Sequence, residues 1–493
     1  MLQEKITLNK KLLIKLSFIA AFFISLSSLS AEEIDLNHYQ FKSYFSPQDE
    51  LDQVFIKAAQ EAQNSILLSI YSFSNKELRE ILTEKAKKKI QVQILLDNAH
   101  KKLNSHFLKT LVETMQDPEL IDSEGKPLLE IRYLTKDNHH KYMIVDEKTL
   151  LSSSGNISNK NNIGKKYDEN LFSCFSCPQA GAYLQEFKRL FQFSTNIFND
   201  PVAPIEVSPT ETYNTNSKDT AYFTSSNFKP RYYTRGKHYR SKDHLDENGN
   251  GKIEKKIAQE ILKATNKIRI ATTRFRSKVI FDALKKAADK GIEIEVFLDS
   301  QEYLRPSKRK SQEKKVKKCL SQLNEETPVN ICYDKSYWFS PEINQLGNNV
   351  QLRYKFYRFK WNFIGSEQMH HKYLIVDEST LITGSYNYSK NAETEYFENI
   401  SILKSTKLIQ EYIKNFDEDL LNYGKGNLEE AKAYISTKQY DNEGRPFIPL
   451  TLDKAYSLST AEIDSLIETL NESCPGWLSR NNKTKCRERA RKK

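Results

Sequence analysis

HHKYMIVDEKTLLSSSGNIS (residues 139–158) and HHKYLIVDESTLITGSYNYS (residues 370–389) are one pattern written twice, with 13 of 20 positions shared at a spacing of 231 residues. Each copy opens on His-x-Lys, runs through an apolar stretch to an Asp, and closes on Ser-x-Asn. Side chains alternate across a strand, so His139 and Lys141 share one face, as do His370 and Lys372, while His140 and His371 face the other way as structural residues. The apolar runs have the composition of buried strands. Turns at Glu147–Lys148 and Glu378–Ser379 then bring Ser154 and Asn156, or Ser385 and Asn387, back toward the same end. One half therefore offers an imidazole, an ammonium, a hydroxyl and an amide, the groups that hold a phosphate and move its protons. A lone His-x-Lys carries no such meaning. Two copies in one register, holding four of the nine histidines, do.

The repeat continues outward. SILLSIYSFSNKELREILTEKAKKKIQVQILLD (65–97) and KIRIATTRFRSKVIFDALKKAADKGIEIEVFLD (267–299) align without a gap at an offset of 202. Each reads as strand, amphipathic helix, strand, with a further amphipathic helix before it (Glu50–Ala62, Lys252–Thr265). The pattern predicts an α/β fold of two tandem halves, each a largely parallel sheet flanked by helices. Because the offset grows from 202 to 231, the second half carries a 29-residue insertion, which contains Cys319, Cys332 and KRKSQEKKVKK. The expected organisation is a leader at 1–31, halves at 32–200 and 218–425, a Pro/Thr/Asn-rich linker at 201–217, and a small helical tail at 426–493 with a basic end.

At 493 residues the chain exceeds one ordinary core, and 38% hydrophobic residues exclude a disordered polymer. Lys and Arg outnumber Asp and Glu 75 to 64, for a net charge of +11, a bias that attracts polyanions. The single long apolar run, Leu16–Leu29, excludes a polytopic membrane protein. It follows Lys5, Lys10, Lys11 and Lys15 and precedes Ser28, Ser30 and Ala31, which reads as a secretory signal peptide too short for the roughly 20 residues of a bilayer span. The protein is therefore expected in the periplasm or the medium. Six cysteines in three local pairs, Cys174/Cys177, Cys319/Cys332 and Cys474/Cys486, then read as disulfides, since no neighbouring pair completes a zinc set around Cys174 and Cys177. Asp246-x-Asn248-x-Asn250-Gly251 begins like a calcium loop, but Ile257 stands where a bidentate Glu belongs, so a turn is expected. No metal or cofactor is predicted.

Both blocks resemble the His-x-Lys-x4-Asp motif of the phospholipase D superfamily, over roughly residues 40–420. The C-terminal copy, continued as KNAETEYFEN, is most similar to the branch of small bacterial endonucleases and mitochondrial cardiolipin hydrolases. The resemblance implies two phospholipase D-like α-β-α sandwich halves about a pseudo-twofold axis, a monomer with an internal pseudo-dimer, and one active site at the interface. It implies an acidic partner for each catalytic imidazole, with Glu398 in the second half and Glu169, in a less regular register, in the first. Asp146, Asp377, Ser154 and Ser385 become supports of the site. The family's Gly-Ser is Gly384-Ser385 in one copy but Ser153-Ser154 in the other, and a positive φ there would strain Ser153. Asp97 and Asp299 read as turn or cap residues, and Tyr71, Phe73 and Phe275 as cleft lining or core.

By the same resemblance one neutral imidazole, His139, attacks phosphorus while protonated His370 donates to the leaving alcohol, and water then opens the phosphohistidine. An unperturbed imidazole pKa near 6.5 would let both states coexist at neutral pH. Lys141, Lys372, Asn156 and Asn387 would stabilise the phosphorane. Two substrates fit. A single chain with two motifs resembles phospholipases D, which release phosphatidate, and phosphatidyltransferases, with peripheral contact to anionic membrane. NFKPRYYTRGKHYRSK (227–242) and LRYKFYRFKW (352–361) interleave cations and aromatics, as a sequence-nonspecific, metal-independent endonuclease for DNA or RNA would. No obligatory protein partner is implied.

Overall fold

The computed structural model describes residues 40–473, apart from 100–107, 135–136, 159–166, 199–218, 234–235, 242–244, 247–248, 326, 328, 360–365, 427, 437–438, 441–445 and 448–450. The expected leader, the linker, the Cys474/Cys486 pair and the basic end of the chain lie outside the described residues.

In the first half, strands β1 (Phe41–Phe45), β2 (Ser65–Ile70), β3 (Gln91–Asp97) and β4 (Leu129–Leu134) are followed by a two-residue β5 (Asp137–Asn138). The motif strands β6 (Lys141–Val145) and β7 (Thr149–Ser153) come next, then β8 (Asn170–Phe175) and β9 (Thr195–Asn196). Eight of these form one sheet in the order β1-β8-β7-β6-β2-β3-β4-β9. The second half repeats it with β10 (Thr220–Phe223), β13 (Lys267–Thr272), β14 (Glu293–Asp299), β15 (Val350–Arg358), β16 (Lys372–Val376), β17 (Thr380–Gly384), β19 (Asn399–Leu403) and β22 (Thr451–Ser459), in the order β10-β19-β17-β16-β13-β14-β15-β22. Between these strands lie a β11–β12 hairpin (Phe228–Tyr233, Gly236–Ser241) and a two-residue β18 (Tyr396–Phe397).

The sheets are mixed rather than largely parallel. Only β2-β3-β4 and β13-β14-β15 run parallel, joined by helical crossovers. The motif itself is a tight hairpin, and a tight hairpin can only be antiparallel. Its turn has positive φ at both central residues, Asp146 (52°) and Glu147 (57°), and again at Asp377 (49°) and Glu378 (54°). The type I′ turn that this defines fits the twist of the two strands.

The same turns place the motif aspartates. Asp146 accepts hydrogen bonds from the backbone N–H groups of Gln63, Asn64 (2.6 Å) and Ser65 (2.9 Å), and Asp377 from those of Thr265, Asn266 and Lys267. They pin the loop entering β2 or β13. Five residues of strand separate Asp146 from Lys141, roughly 17 Å, so neither aspartate touches the chemistry.

Alternation along the strands builds three cores. Ile66, Leu68, Met143 and Val145 face the helices of the first half, and Ile268, Ile270, Leu374 and Val376 those of the second. The opposite faces, with Tyr142, Ile144, Tyr373 and Ile375, meet in a central core joined by Phe187 and Tyr412. His140 and His371 are buried in that central layer, bonded across it to Asn399 (2.9 Å) and Asn170 (3.4 Å), which agrees with their structural assignment.

Beyond residue 425 the chain is not purely helical. After a helix at Leu428–Ser436 and a small β20–β21 pair (Gln439–Tyr440, Pro446–Phe447), strand β22 (Thr451–Ser459) adds antiparallel to β15, and a helix at Thr460–Ser473 follows. Alternating Leu452, Tyr456 and Leu458 cover an edge that would otherwise be open. Cys174–Cys177 and Cys319–Cys332 are disulfides, with Cα atoms 5.9 and 5.6 Å apart. Asp246 accepts from Asn250 N–H (2.7 Å) and pairs with Lys255, closing the expected turn before the helix at Lys252–Ile261.

Candidate active site

The site is built where each half reaches into the other. Segment Asp137–Asn138 pairs in parallel with Tyr396–Phe397, and Asp168 bridges to Met369 in the equivalent place. The backbone N–H of His139 therefore bonds the Phe397 carbonyl (3.0 Å), and that of His370 the Asp168 carbonyl (2.8 Å). One residue further, at the two ladder ends, sit Glu398 and Glu169.

This geometry crosses the acidic partners over. Nδ1 of His139 lies 2.8 Å from Oε1 of Glu398, at ion-pair distance though not aligned as a hydrogen bond. Nδ1 of His370 lies 2.9 Å from Oε1 of Glu169. Each carboxyl serves the imidazole of the opposite half, so neither half holds a complete His–Glu pair. The glutamates are sealed, while the imidazole side chains keep 13% and 15% exposure, enough for a substrate phosphorus to reach Nε2. Lys141 donates to the His139 carbonyl (2.7 Å). Lys372 donates to the carbonyls of His370 (2.9 Å) and Ser154 (3.2 Å), which brings the first half's Ser-x-Asn turn to the second half's ammonium.

The serines share one use: Ser154 Oγ accepts from the Asn170 N–H (3.0 Å) and Ser385 Oγ from the Asn399 N–H (3.0 Å), and Ser385 Oγ also donates to Glu398 Oε2 (2.6 Å). Gly384 has φ 155°, and a Cβ there would meet the Asn399 carbonyl at 2.4 Å. Ser153 escapes the expected strain because its φ is not positive, and its Oγ takes the Gly155 N–H (3.0 Å). The glycine requirement moves to Gly155, where a Cβ would fall 1.8 Å from Glu169 Oε2; the second half has Tyr386 at that place. Asn156 and Asn387 stand half-buried two residues past the serines, and the Asn156 Oδ1 has no hydrogen-bond partner among the described residues.

Burial dominates the electrostatics. Both imidazoles are pushed well below the 6.5 of an unperturbed ring, first by desolvation and then by Lys141 and Lys372. Desolvation raises Glu169 and Glu398 to about 8 and lowers Lys141 to about 8 and Lys372 well below its usual range. Burial thus works against charge on all six side chains.

Several residues escaped the sequence reading. Tyr167 and Tyr396 flank His370 and His139 with ring centroids at 6.0 and 5.7 Å; the repeated Tyr-x-Glu-Asn (167–170, 396–399) was their signal. Arg274 lies close enough to depress both imidazoles, yet Ser72 holds its place in the first half, so the repeat hides it. Of the three aromatics left open, Tyr71 packs on His139 (5.3 Å) while Phe73 and Phe275 are core. Asp97 and Asp299 do cap their turns, through Ala99 and Gln301. They also accept from the N–H of Asn138 (2.7 Å) and Met369 (2.9 Å), immediately before the motif histidines. Among the described residues no cluster of three His, Cys, Asp or Glu side chains is placed to hold a metal ion.

The family described as cardiolipin synthase, PLD-like domain, matches residues 55–191 and 257–420, more than half of the chain. A mitochondrial cardiolipin hydrolase from Chlamydomonas reinhardtii is 40% identical over 50 residues, a match spanning 10% of this chain and 22% of that protein. A phosphatidylserine synthase from Haemophilus influenzae Rd KW20 superposes with a TM-score of 0.48 at 14% identity, covering 79% of this chain and 90% of that one. A phospholipase D family member, Nuc, from Salmonella typhimurium gives 0.26 at 20% identity, covering 32% and 98%.

Proposed function

The chain belongs to the phospholipase D-like family, and from that premise we propose an exported, metal-independent phosphodiesterase, a phospholipase D that releases phosphatidate through a phosphohistidine. The carrying observation is the crossed pairing of His139 with Glu398 and His370 with Glu169 around two ammoniums. In the first step Nε2 of one neutral imidazole forms a bond to phosphorus and the P–O bond to the alcohol breaks. The other imidazole, protonated from its glutamate, gives its proton to that oxygen. Water then attacks phosphorus, hands its proton to the second imidazole, and the P–N bond breaks, restoring both rings. Lys141 and Lys372 stabilise the added negative charge throughout.

Two facts favour lipid over nucleic acid. The family and the curated relative carry cardiolipin in their descriptions. Half of the nucleic-acid argument also disappears into the fold: 352–358 is interior strand, with Leu352, Tyr354 and Phe356 buried, Arg353 bonded to Ser457, and Lys355 paired with Asp168 (2.8 Å). The hairpin β11–β12, cut from the other aromatic–cationic stretch, keeps the endonuclease as second reading. Export accords with the two disulfides.

The test incubates full-length mature protein in excess EDTA with phosphatidylcholine vesicles, cardiolipin vesicles and plasmid DNA. Phosphatidate or its cardiolipin counterpart should appear while the plasmid stays intact. Nicked plasmid with untouched lipid would install the endonuclease instead, and loss of all turnover on chelation would overturn the metal-free chemistry.

A further inference from the structure

The 29-residue insertion of the second half folds as a helix, Pro306–Leu320, whose far end is tied by Cys319–Cys332 to a turn at Val329–Cys332. One face is anchored. Arg309 pairs with Asp464 (2.6 Å), Gln312 bonds the Trp338 carbonyl (2.9 Å), and Val316 is buried. The outward half of the helix carries Lys310, Lys314, Lys317 and Lys318, all exposed, while Lys308 and Lys315 line the cavity beneath it with Tyr337 and Trp338. Glu313 is the only acid in the helix. From Lys310 to Lys318, eight residues of helix, these cations extend along about 12 Å.

At its end the surface changes character. Leu320, Val329 and Ile331 are 37%, 50% and 65% exposed, three of the seven large hydrophobic side chains exposed among the described residues. Cations followed by bare aliphatics suit one kind of partner. Nucleic acid would reward the lysines and the stacking of aromatics, and leave aliphatic tips in water. An anionic bilayer takes both: lysines at the headgroups, and Leu, Val and Ile at the acyl boundary.

The insertion is rooted at the mouth of the site. It leaves β14 just after Asp299, which holds the residue before His370, and returns where Phe339 N–H bonds the Phe275 carbonyl (3.3 Å) and Trp338 lies under Arg276 (4.5 Å). We propose that the helix Pro306–Leu320 and the turn Val329–Cys332 are a docking surface for an anionic phospholipid bilayer, which sets the catalytic cleft against the lipid headgroups. This builds on the lipid assignment above and adds the surface that delivers the substrate.

Sedimentation of the full-length protein with vesicles tests it. Vesicles containing phosphatidylglycerol should bind at least about tenfold more tightly than pure phosphatidylcholine, with the difference shrinking in high salt. Replacing Lys310, Lys314, Lys317 and Lys318 together with Gln should remove that advantage. V329S/I331S should weaken the binding that survives high salt. Turnover of a water-soluble phosphodiester should be unchanged in both, which certifies folding. Equal binding by parent and lysine variant would overturn the proposal, as would lysine changes that cost affinity for duplex DNA but not for vesicles. Vesicle binding without lipid turnover would sink the phospholipase assignment and leave docking standing; turnover of micellar lipid without vesicle binding would do the reverse.

Discussion

Replacing either His139 or His370 with Ala is expected to lower turnover of an unactivated phosphodiester by about 10⁴-fold or more, and replacing both should cost little beyond the worse single change. The reason is that the two rings act in sequence on one phosphorus. Without the nucleophile no P–N bond forms; without the acid the alkoxide cannot leave, and water later finds no base. The two variants part company on a substrate with an acidic phenol as leaving group, which departs without a proton. There the acid variant should still form phosphoenzyme and stall, while the nucleophile variant stays silent. Rapid-quench kinetics reads the burst directly and assigns the roles, His139 as nucleophile by resemblance. Either single variant retaining more than about a tenth of parent activity on the unactivated substrate would contradict a shared mechanism.

The second large effect concerns the carboxyls. E169Q and E398Q are each expected to cost about 10²- to 10⁴-fold in kcat/KM and to displace the alkaline limb of its pH profile. Glu169 and Glu398, raised to about 8 by burial, keep the working proton until the pH climbs past that value. The parent should therefore lose activity as pH rises through about 8, where Lys141 also begins to lose its charge. Glutamine has no proton to lend. The ring it leaves behind, held below 6.5 by burial and two ammoniums, then loses its own proton earlier, so the limb moves below pH 6.5. A limb still at 8 in both variants would assign it to Lys141 and remove the glutamates from proton transfer.

Much of this was legible in the sequence because duplication makes pattern redundant. The motif histidines, lysines and asparagines and the strand–helix–strand order follow from two copies in one register, and the two disulfides among the described residues from the local pairing of their cysteines. The crossing of the glutamates was not legible, since spacing along the chain places Glu398 nearest His370, and only the two-residue β5–β18 ladder hands it to His139. The parallel-sheet expectation failed because a hairpin and a crossover share the same apolar alternation. Arg274 failed because it breaks the repeat that revealed the rest. Lys355 and Arg353 misled in the opposite sense, their charge being neutralised inside a strand that composition alone marks as a surface.

All of it depends on one pocket assembled from both halves. Isothermal titration of the full-length protein with tungstate, a phosphate mimic, addresses that directly. One ion per chain is expected, with binding lost in K141A and equally in K372A, because the two ammoniums come from different halves. Two ions per chain, or one site indifferent to either lysine, would contradict it.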